Sequence, residues 1–202
     1  MLVQLIPFIT ASILLTLSPG PDIIYVLVQS ISNGKKAGII TTLGLVSGIL
    51  IHTSLVAFGV SAVIKASPIL FTLIKIFGAL YLFYLAYKVF KSDSSIAIRD
   101  VAAKRMGNLF RQGFIMNVLN PKVTVFFLAF FPGFLWEPEG NTILQFYILG
   151  ILFLLQALLI FGAVALLAGK ISHYLLQHKQ SGVLLKWIQI VVFIGIGVLI
   201  LI

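Results

Sequence analysis

Thr16-Leu17-Ser18-Pro19-Gly20-Pro21-Asp22-Ile23-Ile24 interrupts an apolar run that otherwise extends from about residue 3 to 29. Proline deletes a backbone hydrogen bond, and in hydrocarbon no water replaces it. A carboxylate near the bilayer centre adds about 2.5 to 3.5 kcal/mol on insertion scales. The same two costs recur about a hundred residues later, where Asn120-Pro121-Lys122 breaks the run from 113 to 135 with a cation. An acid and a base placed inside two interrupted membrane segments point to a transporter, because nothing about folding alone requires them.

The surrounding composition supports that frame. Of 202 residues, 60% are hydrophobic and 9% charged, and the mean hydropathy is +1.16. Runs at about 3–29, 39–64, 69–90, 113–135, 142–169 and 183–202 reach the length that spans a hydrocarbon core. The expectation is an all-α integral membrane protein of six transmembrane helices, one membrane domain over residues 1–202, with the first and fourth helices broken. The first run lacks a basic leader and a small-residue cleavage site and is long for a signal segment, so it reads as a retained span.

The chain has no cysteine, which excludes disulfides, thiol relays and thiolate metal sites. Its formal charge of +9 falls in short loops rather than on a folded polar surface, which speaks against a nucleic-acid partner. Lys35, Lys36, Lys88, Lys91, Arg99, Lys104, Arg105, Arg111, Lys170, Lys179 and Lys186 lie in the first, third and fifth loops or at their edges, against Lys65, Glu137 and Glu139 on the other side. The positive-inside rule then makes loops 1, 3 and 5 cytoplasmic and puts both termini outside. Trp136 and Trp187 stand at span ends, as interfacial aromatics do.

Splitting the chain at the third loop leaves three spans on each side, so two related halves are necessarily inverted. Repeat 1 covers about 1–91, a linker about 92–112, and repeat 2 about 113–202. A shift of about 102 residues brings Pro19 onto Pro121, Gly48 onto Gly150, and Phe58-Gly59 onto Phe161-Gly162 within a residue. The linker spaces Ala102, Met106, Leu109 and Phe110 helically among Arg99, Lys104, Arg105 and Arg111, which suits either an amphipathic helix on anionic lipid or a solvated basic loop. Gly44 and Gly48 permit close helix approach, within the bundle or in a homodimer. Gly78-Ala79 and Gly195/Gly197 carry the same double meaning.

At the first break the helix is expected to stop and restart at Pro21, with Asp22 in the new first turn. There the helix dipole favours the carboxylate while the low dielectric favours its proton, which suits a proton carrier or an ammonium acceptor. At the second, Asn120 is a good N-cap and Pro121 suits the first helical position. Lys122 beside that helix start makes a place that attracts an anion, either Asp22 or a substrate carboxylate. The resulting expectation is an Asp22–Lys122 ion pair when empty and a zwitterion bridging both when loaded, with a permanent salt bridge or a snorkelling Lys122 as the structural alternative. Pro19, Gly20, Pro21, Asn120 and Pro121 shape this site. Ser18, His52, Asn117 and Gln156 are candidate cavity-lining residues, although His52 and Gln156 serve equally as hydrogen-bonding residues between helices. Lys75, just inside the third span, reads as snorkelling.

The Ser18-Pro19-Gly20-Pro21-Asp22 block, Gly44 and Gly48, Gly78-Ala79-Leu80-Tyr81-Leu82, and Gly113-Phe114 followed by Asn117, Asn120-Pro121-Lys122 and Phe126-Phe127 resemble the LysE/RhtB family of amino-acid exporters over nearly the whole chain. The resemblance implies a permease of a bacterial-type inner membrane that exports amino acids or their derivatives, in exchange for protons. Small molecules, protons and lipid are then its partners. No phosphate loop of the G-x-x-x-x-G-K-[ST] type occurs, so the chain does not hydrolyse ATP through that device, and the energy is expected from an ion gradient or the substrate's own. One charge moved across 100 mV is worth about 2.3 kcal/mol, enough for roughly fiftyfold accumulation.

Other classes fare worse. A divalent-cation exporter needs several oxygen ligands, yet Asp22 is the one carboxylate deep in a span. An intramembrane enzyme needs a nucleophile, an acid/base pair or a metal, and His173 and His178 have no carboxylate near them in sequence. A non-transporting scaffold explains the glycines but not Asp22 and Lys122. No catalytic residue, metal ligand or cofactor site is assigned.

Overall fold

A computed structural model describes residues 2–93, 105–178 and 180–202, and the regular secondary structure among them is entirely helical. The first span is two helices, α1 (Leu2–Leu17) and α2 (Pro21–Asn33), bent by 53° at the intervening break. The second runs from α3 (Lys35–Ser54) through a π-helical segment, Leu55–Val60, into α4 (Ser61–Ala66). The third is α5 (Pro68–Lys91). In the fourth, α6 (Met106–Val118) meets α7 (Pro121–Val125) at a bend of 45°, and α7 continues as a π-helical turn, Phe126–Phe130, and a 3₁₀ turn, Phe131–Phe134. The fifth and sixth are α8 (Thr142–Gln177) and α9 (Ser181–Leu201). Counting each bent pair as one span gives six, and the chain is a multi-pass membrane protein.

Local chemistry sets the boundaries. Pro68 and Pro121 occupy first-turn positions of α5 and α7, and the side chains of Ser67 and Asn120 accept the N–H groups of Leu70 and Lys122 at 3.3 and 3.0 Å. Gly34, with φ of 85°, makes the sharp turn between α2 and α3 that a side chain would strain. After the fourth span, Gln145 of α8 accepts from the Trp136 and Glu137 N–H groups at 2.9 and 3.0 Å and donates to the Glu137 carbonyl at 2.8 Å, fixing the return.

Packing turns the polar residues inward and leaves aliphatic and aromatic side chains such as Phe77, Tyr84, Leu159 and Val191 exposed around the bundle, as a lipid-facing surface requires. The closest seam joins α3 to α6. A Cβ on Gly113 would stand 2.5 Å from the Thr41 carbonyl oxygen, one on Gly44 would collide with the Phe110 carbonyl, and one on Gly48 would lie 2.6 Å from Asn117 Oδ1. The Gly44/Gly48 pair is therefore used inside the bundle, and Gly78 and Gly197 similarly admit Ala129 and Phe83. The third span packs on the sixth and the second on the fifth.

Of the linker, residues 94–104 lie outside the described residues, and with them Arg99, Ala102 and Lys104. From Met106 onward its apolar positions belong to the first turns of α6. The helices also outrun the apolar runs: α8 continues to Gln177, past Lys170, because its backbone ladder persists where its side chains turn polar.

Candidate functional site

The two breaks meet in the buried interior of the bundle, and each holds the charged group of the other. Helix α1 ends before Pro19, which leaves the Ser18 carbonyl without its usual partner four residues on. Lys122 supplies the donor: its Nζ gives a hydrogen bond to Ser18 O at 2.8 Å. In return Asn117, in the last turn of α6, donates from Nδ2 to Asp22 Oδ2 at 3.0 Å. Two charge-assisted bonds, each worth about 1.5 to 3 kcal/mol where water is excluded, lock the breaks together.

This differs from the expected empty-state ion pair. Among the described residues no carboxylate oxygen lies within 4.0 Å of a cationic nitrogen, so Asp22 and Lys122 share a chamber without touching. The reason is the backbone: a freed carbonyl is a nearer acceptor for Lys122 than the carboxylate across the gap. Lys122 Nζ also lies 5.6 Å from the centre of the Phe193 ring of α9, in the range of a cation–π contact. Asp22 and Lys122 are 6% and 9% exposed, so neither snorkels to a headgroup.

The chamber is lined by Ser18, Gly20, Asp22, Asn117, Asn120 and Lys122, with Leu15, Thr16, Ile23, Ile49, Val123, Phe153, Ala157 and Phe161 completing its walls. Its volume is about 30 Å³, room for one or two waters. Three buried polar atoms on this lining have no hydrogen-bond partner: Asp22 Oδ1, Ser18 Oγ and Asn117 Oδ1. Leaving such atoms unsatisfied costs about 1 to 3 kcal/mol each, more for a charged group; Asn117 Oδ1 rests against Gly48 of α3, and the oxygens of Asp22 and Ser18 give the lining its capacity to accept donors.

The other expected residues take different positions. Pro21 and Pro121 are the first residues of α2 and α7 and start those helices rather than line the chamber. Pro19 faces a separate cavity toward the basic end of the bundle. His52 stands behind Asn117, its Nε2 3.0 Å from the Asn117 carbonyl oxygen, and Gln156 donates to Thr16 Oγ1 at 2.9 Å. Both back the lining without joining it. Lys75 borders a third cavity near the opposite end.

The sequence reading missed the apolar wall. Phe153, Ala157 and Phe161 repeat every fourth residue along one face of α8, a signal present in the sequence but submerged in a helix that is apolar all round. It also missed the π-helical turns, of which Phe126–Phe130 directly follows the short helix bearing Lys122.

Asn120 tests the local geometry. Replacing it by Ala removes the cap on α7 and is expected to cost about 1 kcal/mol, read as a lower unfolding temperature in detergent. Asn120→Ser, which keeps a capping oxygen, should recover most of the loss.

Comparison with known proteins places these features. The sequence model of a family described as LysE type translocator matches residues 13–202. A homoserine/homoserine lactone efflux protein of Salmonella typhimurium is 31% identical over 180 residues, covering 89% of this chain and 87% of the relative. An uncharacterized membrane protein of Bacillus subtilis is 31% identical, over 96% of this chain and 97% of its own length. A leucine efflux protein of Salmonella choleraesuis is 28% identical, over 86% and 82%. No solved structure gives a significant match.

Proposed function

The chain belongs to the LysE type translocator family, and from that premise we propose that it exports amino acids or amino-acid derivatives through the chamber between its two helix breaks. The observation that carries this reading is a small buried chamber in which Asp22 and Ser18 keep oxygens without a hydrogen-bond partner and which Lys122 also lines. A substrate ammonium can donate to Asp22 Oδ1 and Ser18 Oγ. Its carboxylate, or the carbonyl of an ester or lactone, then takes Lys122 away from Ser18. Relatives named for homoserine, homoserine lactone and leucine efflux agree in sharing one feature, an α-amino group beside a carbonyl carbon.

Asp22 also suits proton exchange: released by the substrate, it takes up a proton for the return, so that charge and substrate move in opposite directions. Alternating access follows from the symmetry of two half-helices around one site, each end opening in turn. Membership of this family suits an inner membrane, in which the positive-inside rule turns Lys35, Lys88, Arg111 and Lys170 toward the cytoplasm. A cation exporter is disfavoured, since among the described residues Asp22 is the sole carboxylate on the chamber.

The test is efflux from membrane vesicles or proteoliposomes loaded with a panel of labelled amino acids, with and without a proton gradient. At least one neutral amino acid or its ester should leave faster with the protein present, and collapsing the gradient should slow it. A folded protein that moves none of them contradicts the reading.

A further inference from the structure

The chamber is too small for an amino acid, and its walls differ in thickness. Toward the basic end lies a second cavity of about 340 Å³ between α2, the end of α5, α8 and α9. Ile23 lines both the chamber and this cavity, so a single side chain forms part of the partition. Toward the other end lies a third cavity, of about 360 Å³, bordered by Phe130 and Phe134. Between it and the chamber the rings of Phe153, Phe126 and Phe130 stand in succession, with centroids 5.4 and 4.9 Å apart. Phe127, Phe131 and Phe8 pack around them, and every ring of this plug is at most 5% exposed. One end is closed by several aromatic layers, the other by a wall to which Ile23 and the first helix break contribute, with Pro19 on the cavity side and Ser18 and Gly20 on the chamber side.

The basic-end cavity also carries opposite charges. Asp93, just beyond α5, and Lys186 on α9 both border it, with Gln189 alongside, while Leu17, Ile24, Leu27, Val164, Ile171, Leu175 and Leu185 contribute aliphatic wall. Lys186 is held by the end of α5, donating from Nζ to Ser92 O at 2.7 Å. This repeats, nearer the surface, the arrangement of the central site: a lysine resting on a carbonyl, with a carboxylate that has no cationic partner among the described residues bordering the same cavity.

We propose that this cavity is the loading vestibule of the central chamber, where a zwitterionic amino acid is taken up between Asp93 and Lys186 and from which it reaches Asp22 and Lys122 when Ile23 moves out of the shared wall. The proposal rests on the exporter reading and adds the entry path, a second substrate site and the gate. The aliphatic wall selects substrates with uncharged side chains.

The absence of cysteine from the chain makes a single introduced thiol an unambiguous reporter. Leu185→Cys is placed in vesicles of both orientations and treated with a membrane-impermeant, positively charged methanethiosulfonate reagent. Modification is expected only from the side bearing the basic loops, slowed by an amino acid that the protein transports, and followed by loss of efflux. Ile171→Cys, across the cavity, repeats the measurement if Leu185→Cys does not assemble. Full modification that leaves efflux intact, or modification indifferent to side and substrate, overturns the vestibule. Failure of the exporter reading is separately visible, because the unmodified wild-type protein would then move no amino acid at all.

Discussion

Asp22→Asn is expected to reduce efflux to the background of vesicles without the protein while leaving a folded, monodisperse protein. Asparagine has the shape of aspartate, and its amide oxygen can accept the same hydrogen bond from Asn117 Nδ2 that the carboxylate accepts at 3.0 Å, so the junction of the two breaks survives. What is lost is the charge of a chamber-lining residue whose Oδ1 has no hydrogen-bond partner. A charge-assisted hydrogen bond is worth about 1.5 to 3 kcal/mol, or roughly ten- to a hundredfold in binding, and a protein that cycles a proton on this group loses the coupling step as well. Lys122→Met makes the complementary test. It removes the donor to Ser18 O, so efflux and thermal stability should fall together, whereas Asp22→Asn separates them. An Asp22→Asn protein that exports at the wild-type rate would take the carboxylate out of the mechanism.

The largest effect on stability is expected at the α3–α6 seam. In Gly113→Ala the new methyl meets the Thr41 carbonyl oxygen at 2.5 Å, and a carbonyl inside a helix cannot rotate away as a side chain does. The helices must separate, and overpacking of this kind costs about 1 to 3 kcal/mol, occasionally more. Since α6 carries Asn117 and leads into the break before Lys122, a shift of the seam also misplaces the acceptor network. Gly113→Ala should therefore lower the unfolding temperature in detergent and abolish export, and Gly44→Ala, aimed at the Phe110 carbonyl, should do the same. Gly162→Ala is the control: nothing lies within 4 Å of its Cβ position, and alanine in a helix interior is favoured over glycine by about 0.5 to 1 kcal/mol. Equal stability of all three variants would mean that the seam is looser than described.

Much of the architecture is legible in the sequence because it follows from local rules. Apolar runs mark the spans, the Pro19/Pro21 pair and Pro121 mark the breaks, and Asn120 before Pro121 marks the helix start, since each acts through its own backbone. The relation between the breaks is less legible. Opposite charges suggest a direct bond, yet the helix interruption that admits Asp22 also frees the Ser18 carbonyl, and Lys122 goes to the carbonyl. Only the three-dimensional crossing of the breaks reveals that choice. His52 and Gln156 illustrate the same limit: mid-depth polar residues stand out in an apolar helix, but their partners, the Asn117 carbonyl and Thr16, come from spans distant in sequence. The π-helical turns leave no trace in hydropathy, which records side chains and not hydrogen-bond register.

Exchange in proteoliposomes, with one transported amino acid as tracer, addresses the central claim most directly. Its des-amino acid and its decarboxylated amine serve as competitors. If the crossed helix breaks form a site for both charged groups, each truncated analogue should compete at least about tenfold more weakly than the parent, as expected for the loss of one charge-assisted contact. Asp22→Asn should erase the preference for the amino group alone. Equal competition by parent and analogues, or a preference that Asp22→Asn leaves unchanged, would show that the substrate is bound elsewhere.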